Sequence, residues 1–180
     1  MNFEVEYFDK IEGPILIKPR VFGDDRGYFL ETFREDSFKS IKGMPEKFVQ
    51  DNHSKSSKNV LRGLHFQKEP KAQGKLVTVI SGSIMDVAVD IRKNSKTYGQ
   101  HIKVILDDKK CELFYIPTGF AHGFLSLEDN THILYKCTEY YSPEHDSGIL
   151  WNDSELNIDW EISNPLLSDK DKKLPSFNKL

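Results

Sequence analysis

The sequence has few of the features that would place a protein in a membrane or an oxidising compartment. Only two of its 180 residues are cysteines, Cys111 and Cys137, and they lack the CxxC spacing of metal and redox motifs. No apolar run approaches the roughly 18 to 20 residues that cross a bilayer. Residues 1–6 lack the basic and apolar regions of a secretory leader. These absences predict a reduced, cytoplasmic protein with no membrane partner.

The chain also lacks an excess of positive charge. Its 25 Lys and Arg against 28 Asp and Glu give a formal net charge of −3, with a pI near 6.1. The basic residues are scattered rather than gathered into a stripe, so we expect no nucleic-acid partner. A small phosphorylated ligand is compatible with this composition, because such a site needs only a few local cations.

Length and patterning predict a single all-β domain over residues 1–180. Short runs rich in Val, Ile, Phe, Tyr and Leu alternate with turn residues, at the spacing typical of an antiparallel sandwich or barrel. Helical signals are confined to residues 35–41, which Asp36 or Ser37 could cap, and to residues 168–173, where Ser168 could be the cap. The strand-like runs are residues 60–67, 76–80, 84–91, 101–106, 112–116, 123–127 and 132–140.

The segment from Val60 to Gln67 places an arginine and a histidine in an otherwise largely apolar strand. Burying either side chain costs several kcal/mol unless it is paired, which favours a lined cavity over ordinary core. Side chains alternate along a strand, so Arg62 and His65 would line one cavity only if Gly63 allows a bulge or twist. The alternative is a structural histidine beside a surface arginine, and the pattern alone does not decide between them.

Two histidines raise the question of a metal site. His65 is followed by Gln67 rather than a second histidine, and no glutamate on its strand completes a facial triad, so the sequence argues against a bound transition metal. His122 lies between small residues, which fits either close approach of a ligand or a tight turn. We expect the remaining histidines to be exposed: His53, His101, His132 and His145.

Three other polar positions allow two interpretations each. Asp86 and Asp90 share a strand face, and we favour hydrogen bonds to neighbouring strands or to Arg92 over catalysis. Tyr135 faces the same way as two largely apolar side chains, which favours a core tyrosine bonded to a carbonyl. The acids after Ser168 either begin a helix or supply a carboxylate that folds back to orient His65.

Eight segments, taken in order, resemble the dTDP-4-dehydrorhamnose 3,5-epimerase family. Each is weak alone, but their order and spacing run nearly end to end and are highly specific. The segments are DDRGYFLET (24–32), FVQDNHS (48–54), LRGLHFQ (61–67), AQGKL (72–76), GFAHGF (119–124), YK (135–136), GILWND (148–153) and LSDKD (167–171).

The resemblance implies a cupin-type double-stranded β-helix, or jelly roll, with short peripheral helices, in a homodimer that shares strands. It implies conversion of dTDP-4-dehydro-6-deoxy-D-glucose to dTDP-4-dehydro-L-rhamnose without cofactor or metal. His65 matches the family's general base, Asp171 its dyad partner and Tyr135 the proton donor on the opposite side of the sugar. Asp169 is also available in the tail, and only the family match selects Asp171.

The resemblance also assigns substrate-binding positions. Arg26 and Glu31 match residues that reach the site from the neighbouring subunit. The other matches are Gln50, Asp51, Asn52, Arg62, Lys75, His122, Tyr141 and Asp146.

Two of these positions have an expected role in the chemistry. Lys75 would stabilise the developing oxyanion if its strand pairs with the His65 strand. Arg62 would hold the diphosphate, because its planar fork suits phosphate. Three alternatives stay open: an epimerase acting at C3 or C5 only, a metal-dependent cupin enzyme, and a non-catalytic nucleotide-sugar binding module.

Overall fold

A computed structural model describes residues 2–180, and its regular structure is almost entirely β-sheet. The strands, in chain order, are β1 (Phe3–Tyr7), β2 (Ile15–Pro19), β3 (Val21–Asp24), β4 (Gly27–Leu30), β5 (Gln50–Ser56), β6 (Leu61–Gln67), β7 (Lys75–Ser81), β8 (Ser83–Asp90), β9 (His101–Asp107), β10 (Leu113–Ile116), β11 (Phe120–Ser126), β12 (Thr131–Cys137) and β13 (Asp146–Gly148).

The strands form two facing sheets and a separate hairpin. One sheet has the order β1-β2-β10-β7-β12-β5, and the other has the order β13-β6-β11-β8-β9. Every strand pair is antiparallel, and β3 pairs only with β4. This confirms the all-β, jelly-roll prediction. Chain order does not follow sheet order, so residues distant in sequence meet between the sheets.

The main core lies between the two sheets, and β8 explains how it forms. All eight residues of β8 are buried. Ile84 and Ala88 pack into the cluster between the sheets, while Met85, Val87 and Val89 pack on the other side against the C-terminal segment. A strand covered on both faces carries apolar residues at nearly every position, as the sequence of β8 does.

Both acids of β8, Asp86 and Asp90, are fully buried. Asp90 accepts hydrogen bonds from Arg92, Ser95 and Thr97, so the favoured interpretation is confirmed for this residue. Burial alone would raise the pKa of Asp90, but these donors hold it well below its ordinary value. Asp90 therefore fixes the loop after β8 and is not available for chemistry.

The two predicted helices are present, but both are shorter than expected. Helix α1 (Glu35–Lys39) begins after Arg34 and has no side-chain cap. Capping by Asp36 or Ser37 was therefore wrong, because both lie within the first turn. In the tail, Asp171–Lys173 form a 3₁₀ turn that begins after Lys170, so Ser168 is not its N-cap, although the Asp171 amide donates to the Ser168 hydroxyl at 3.1 Å. A second 3₁₀ turn follows at Phe177–Lys179.

Within residues 2–180, no helix is both long and apolar enough to cross a membrane.

Candidate active site

A bulge at Gly63 turns two side chains of β6 toward one cavity. The pairing of β6 with β11 shifts register between His122 and Phe124, so two residues of β6 oppose one of β11. Gly63 has φ = +127°, and a Cβ built there would lie 2.5 Å from the Gly123 Cα. Glycine is therefore required at this position. Arg62 and His65 consequently line the same cavity, as the sequence allowed only for a bulged strand.

The cavity lies between the sheets and has two connected parts. The larger part has a volume of about 470 Å³. The smaller part has a volume of about 270 Å³. Four residues line both parts and therefore mark their junction: His65, Lys75, Tyr135 and Lys170.

His65 and Asp171 form a hydrogen-bonded pair at this junction. The His65 Nε2 lies 2.6 Å from the Asp171 Oδ1, and the Asp171 side chain is only 4% exposed while that of His65 is 28% exposed. Burial alone would raise the pKa of Asp171, but the hydrogen bond and charge of His65, with help from Ser168, lower it. Asp169 is exposed and pairs with Lys172 instead. The tail carboxylate that folds back onto His65 is therefore Asp171.

Tyr135 reaches the same junction from the opposite sheet. It lies on β12, between β7 and β5, whereas His65 lies on β6. Burial raises the pKa of its phenol, and the neighbouring Cys137 acts in the same direction. The favoured core tyrosine bonded to a carbonyl is not what the structure has, because the hydroxyl forms no hydrogen bond with any of residues 2–180.

Lys75 enters the cavity by a different route from the one expected. Its strand, β7, pairs with β10 and β12 and not with the His65 strand, so the condition set for Lys75 was wrong. The side chain instead reaches the junction from the facing sheet. Burial lowers the pKa of its ammonium group, although Cys137, Asp86 and Asp146 oppose that shift.

His122 and Asp86 form a second imidazole–carboxylate pair that the sequence interpretation missed in part. The His122 Nε2 lies 2.8 Å from the Asp86 Oδ1, and both residues are buried. Burial lowers the pKa of His122, although the charge and hydrogen bond of Asp86 oppose that shift. The Asp86 Oδ2 has no partner among residues 2–180. The only signal in the sequence was the acid's position on an apolar strand.

The smaller part of the cavity is lined by polar side chains from three segments. The Gln50 Nε2 donates to the Asn52 Oδ1 at 3.0 Å, and the Tyr141 hydroxyl donates to the Asp146 Oδ2 at 3.1 Å. Lys170 forms an ion pair with the same Asp146 oxygen. Lys170 was not predicted, although it directly precedes Asp171 in a turn that brings both residues to the cavity.

Three predicted binding residues do not line this cavity. Asp51 points away from Gln50 and Asn52, as alternation along β5 requires, and its 68% exposed side chain pairs with Lys136 at 2.9 Å. Arg26 lies at the tip of the β3–β4 hairpin and pairs with Asp24 of the same hairpin. Glu31 follows that hairpin directly.

The four remaining histidines lie outside the cavity. His53 is exposed as predicted, whereas His101, His132 and His145 are half-buried. His53 and His132 bond to each other across β5 and β12 at 2.9 Å. His145 bonds to the Ser142 hydroxyl at 2.8 Å.

Comparison with known proteins places this geometry among sugar-nucleotide enzymes. The family described as dTDP-4-dehydrorhamnose 3,5-epimerase matches residues 9–179. The enzyme of that name from Escherichia coli (strain K12) is 52% identical over 95% of this chain and 93% of its own length. Its namesake from Methanothermobacter thermautotrophicus is 54% identical over 90% of this chain and 88% of its own length.

A solved structure is similar over nearly the whole chain. It is the dTDP-6-deoxy-D-glucose-3,5-epimerase of Legionella pneumophila Philadelphia 1 in complex with dTDP-4-keto-L-rhamnose. It superposes with a TM-score of 0.93 at 43% identity, covering 98% of this chain and 93% of that one.

Proposed function

Because this chain belongs to the dTDP-4-dehydrorhamnose 3,5-epimerase family, we propose that it carries out epimerisation in the cavity between His65 and Tyr135. The protein is an isomerase that converts dTDP-4-dehydro-6-deoxy-D-glucose to dTDP-4-dehydro-L-rhamnose by inverting C3 and C5. The observation that carries the proposal is the placement of an imidazole and a phenol on opposite sheets around one cavity.

His65 is suited to removing the proton. The hydrogens at C3 and C5 flank the C4 ketone, so removing either gives an enolate that can be reprotonated from the other face. Its Nε2 is held by Asp171, which leaves Nδ1 without a partner among residues 2–180 and available as the base. The Asp171 carboxylate, with its lowered pKa, fixes the imidazole tautomer and stabilises the imidazolium that forms.

Tyr135 is suited to returning the proton on the other face. Its raised pKa keeps the phenol protonated at neutral pH, and its hydroxyl has no competing partner among the described residues. A phenol is a weak acid, so it gives up its proton only to a strong base such as an enolate carbon. An imidazole on one side and a phenol on the other are therefore enough for inversion without a carrier group.

Lys75 is placed to stabilise the enolate oxygen, with His122 beside it. Both line the cavity beside His65, and Asp86 holds the ring of His122 by one nitrogen. A preorganised donor at a developing oxyanion contributes about 3 to 4 kcal/mol in comparable enzymes. The lowered pKa of His122 favours the neutral imidazole, and its one N–H is donated to Asp86, so Lys75 is the donor to the enolate oxygen.

Polar groups at both ends of the cavity fit the rest of the substrate. Arg62 donates to the Ser56 hydroxyl at 3.2 Å and to the Lys55 carbonyl at 3.1 Å, which fixes its guanidinium where it can bind the diphosphate. The amides and the aromatic ring of the smaller cavity suit a nucleoside. We assign this contact to Gln50, Asn52, Tyr141, Asp146 and Lys170, and leave Asp51 out because it faces away.

The β3–β4 hairpin supports a homodimer in which each subunit completes the other's site. It pairs with neither sheet, and Phe29 is 71% exposed, with Phe22 and Tyr28 also exposed. Apolar side chains exposed together mark an interaction surface. A second copy of the chain would cover these side chains. In such a dimer, Arg26 and Glu31 of one subunit would reach the nucleoside site of the other subunit.

Complementation between two defective variants tests this exchange. The variants are His65→Ala and the double variant Arg26→Ala/Glu31→Ala, each with little activity alone. Coexpressed at equal amounts, they should recover about a quarter of the wild-type rate, because half of randomly paired dimers are mixed and each mixed dimer holds one intact site of two. Mixed dimers isolated through two affinity tags and no more active than the parent variants would rule out the exchange.

Proton NMR of the substrate in deuterium oxide tests the proposed function. The wild-type protein should exchange and invert both the C3 and C5 centres, so both signals should disappear. Exchange at one centre would identify a mono-epimerase instead. Binding of the substrate with no exchange would select the binding-module alternative. Loss of activity on removal of metal by a chelator, restored by iron, manganese or zinc, would select a metal-dependent enzyme.

A further inference from the structure

Gln67, the last residue of β6, has a buried side chain whose nitrogen and oxygen both form hydrogen bonds. The residue is 7% exposed. Its Nε2 donates to the carbonyls of Lys71 at 2.6 Å and Tyr140 at 3.2 Å. Its Oε1 accepts from the Ser142 amide at 2.7 Å. Both polar atoms of this side chain are therefore engaged by backbone, and the residue also lines the smaller part of the cavity.

These contacts hold the loop that carries part of the nucleoside site. Two of the three fix the backbone on either side of Tyr141, and the Tyr141 amide donates to the Gln50 Oε1 at 2.8 Å. The backbone of Gln67 also pairs with Asp146, which accepts the Tyr141 hydroxyl. The loop has no regular structure between β12 and β13. Side-chain amides therefore replace a strand ladder as the constraint on its position.

The same strand carries the base. His65 lies two positions before Gln67 on β6, so one rigid strand sets the distance between the imidazole and the loop. A loop free to move would have to be ordered when the nucleoside binds, which would weaken substrate binding even with every contact residue intact.

We infer that Gln67 is a positioning residue, which acts through Tyr141 to hold the nucleoside site in the geometry that binds the substrate. The inference rests on the proposed function, because it assigns Tyr141 and Asp146 to the substrate. A role in folding alone would change the stability of the protein, whereas the inferred role changes the affinity for the substrate. The chemical step, at saturating substrate, does not depend on this loop.

The first test replaces Gln67 with methionine, which has a similar length and none of the hydrogen bonds. KM should rise about tenfold while kcat stays within about twofold of wild type. If the variant does not fold, Gln67→Glu, which keeps the acceptor for the Ser142 amide, is measured instead and should show the same split. A matched control is Thr78→Val, which removes a hydrogen bond to the Glu112 carbonyl; Thr78 lines neither part of the cavity, so this variant should lower the melting temperature without raising KM.

A double-mutant cycle with Tyr141→Ala tests the route. Adding Gln67→Met to Tyr141→Ala should raise KM no further, because the group that Gln67 positions is already gone. Two results would overturn the inference while leaving the epimerase function standing. One is a KM in the double variant equal to the product of the two single fold increases, and the other is an unchanged KM in Gln67→Met. Absence of exchange in the wild-type protein would overturn the proposed function itself.

Discussion

His65→Ala should lower solvent deuterium uptake by the substrate about 10²- to 10⁴-fold, the range that a positioned general base contributes. In the proposed mechanism His65 is the group that removes the C3 and C5 protons, so its loss prevents enolate formation at both centres. Epimerisation must fall with exchange, because inversion requires the enolate. The measurement is the decay of the C3 and C5 proton signals of the substrate in deuterium oxide, at saturating concentration.

His53→Ala is the matched control for this result. His53 lies on the outer face of its sheet, bonded to His132, and lines neither part of the cavity. The His53→Ala variant should exchange substrate protons at the wild-type rate. Unchanged exchange in His65→Ala, with the protein folded and binding substrate, would remove His65 from the role of base and with it the proposed mechanism.

Tyr135→Phe should separate exchange from inversion. Without the Tyr135 hydroxyl, His65 can still form the enolate and return a solvent deuteron to the same face, but no acid remains on the opposite face. Deuterium should therefore still enter the substrate, while the epimerised product forms about 10²- to 10⁴-fold more slowly. The same NMR experiment reports both quantities, because retained and inverted centres give different couplings to their neighbours.

Tyr140→Phe is the control, since Tyr140 is exposed and lines neither part of the cavity. It should leave both exchange and inversion unchanged. If Tyr135→Phe inverted either centre at the wild-type rate, another group would have to supply that proton. If it lost exchange and inversion equally, Tyr135 would act in forming the enolate rather than in protonating it.

Local patterns in the sequence were enough to predict the β-strands between residues 60 and 140. Residues 76–80, 84–91 and 101–106 correspond closely to β7, β8 and β9, because alternation and apolar content reflect burial at each position. The first five strands were not predicted. The β3 and β4 residues are exposed on this subunit, so they lack the alternation of a strand packed on a core.

The site was harder to predict because it depends on contacts between distant segments. His65 and Asp171 are 106 residues apart, and no periodicity relates them. Lys75 was expected to come from a neighbouring strand and comes from the facing sheet. Asp86 was expected to bond to a neighbouring strand and does bond to His122 of β11, but its full burial beside the cavity was not predicted.

The sequence by itself determined the all-β class and, through motifs in a fixed order, the family. It also identified Gly63 as the position where a bulge was needed, since only a break in alternation lets Arg62 and His65 face the same side. The tertiary structure decided that the bulge forms, that the tail carboxylate is Asp171, and that His65 and Tyr135 approach one cavity from opposite sheets. The physical reason is that alternation and propensity act over a few residues, whereas the distance between two side chains on different sheets is set by the packing of the whole core.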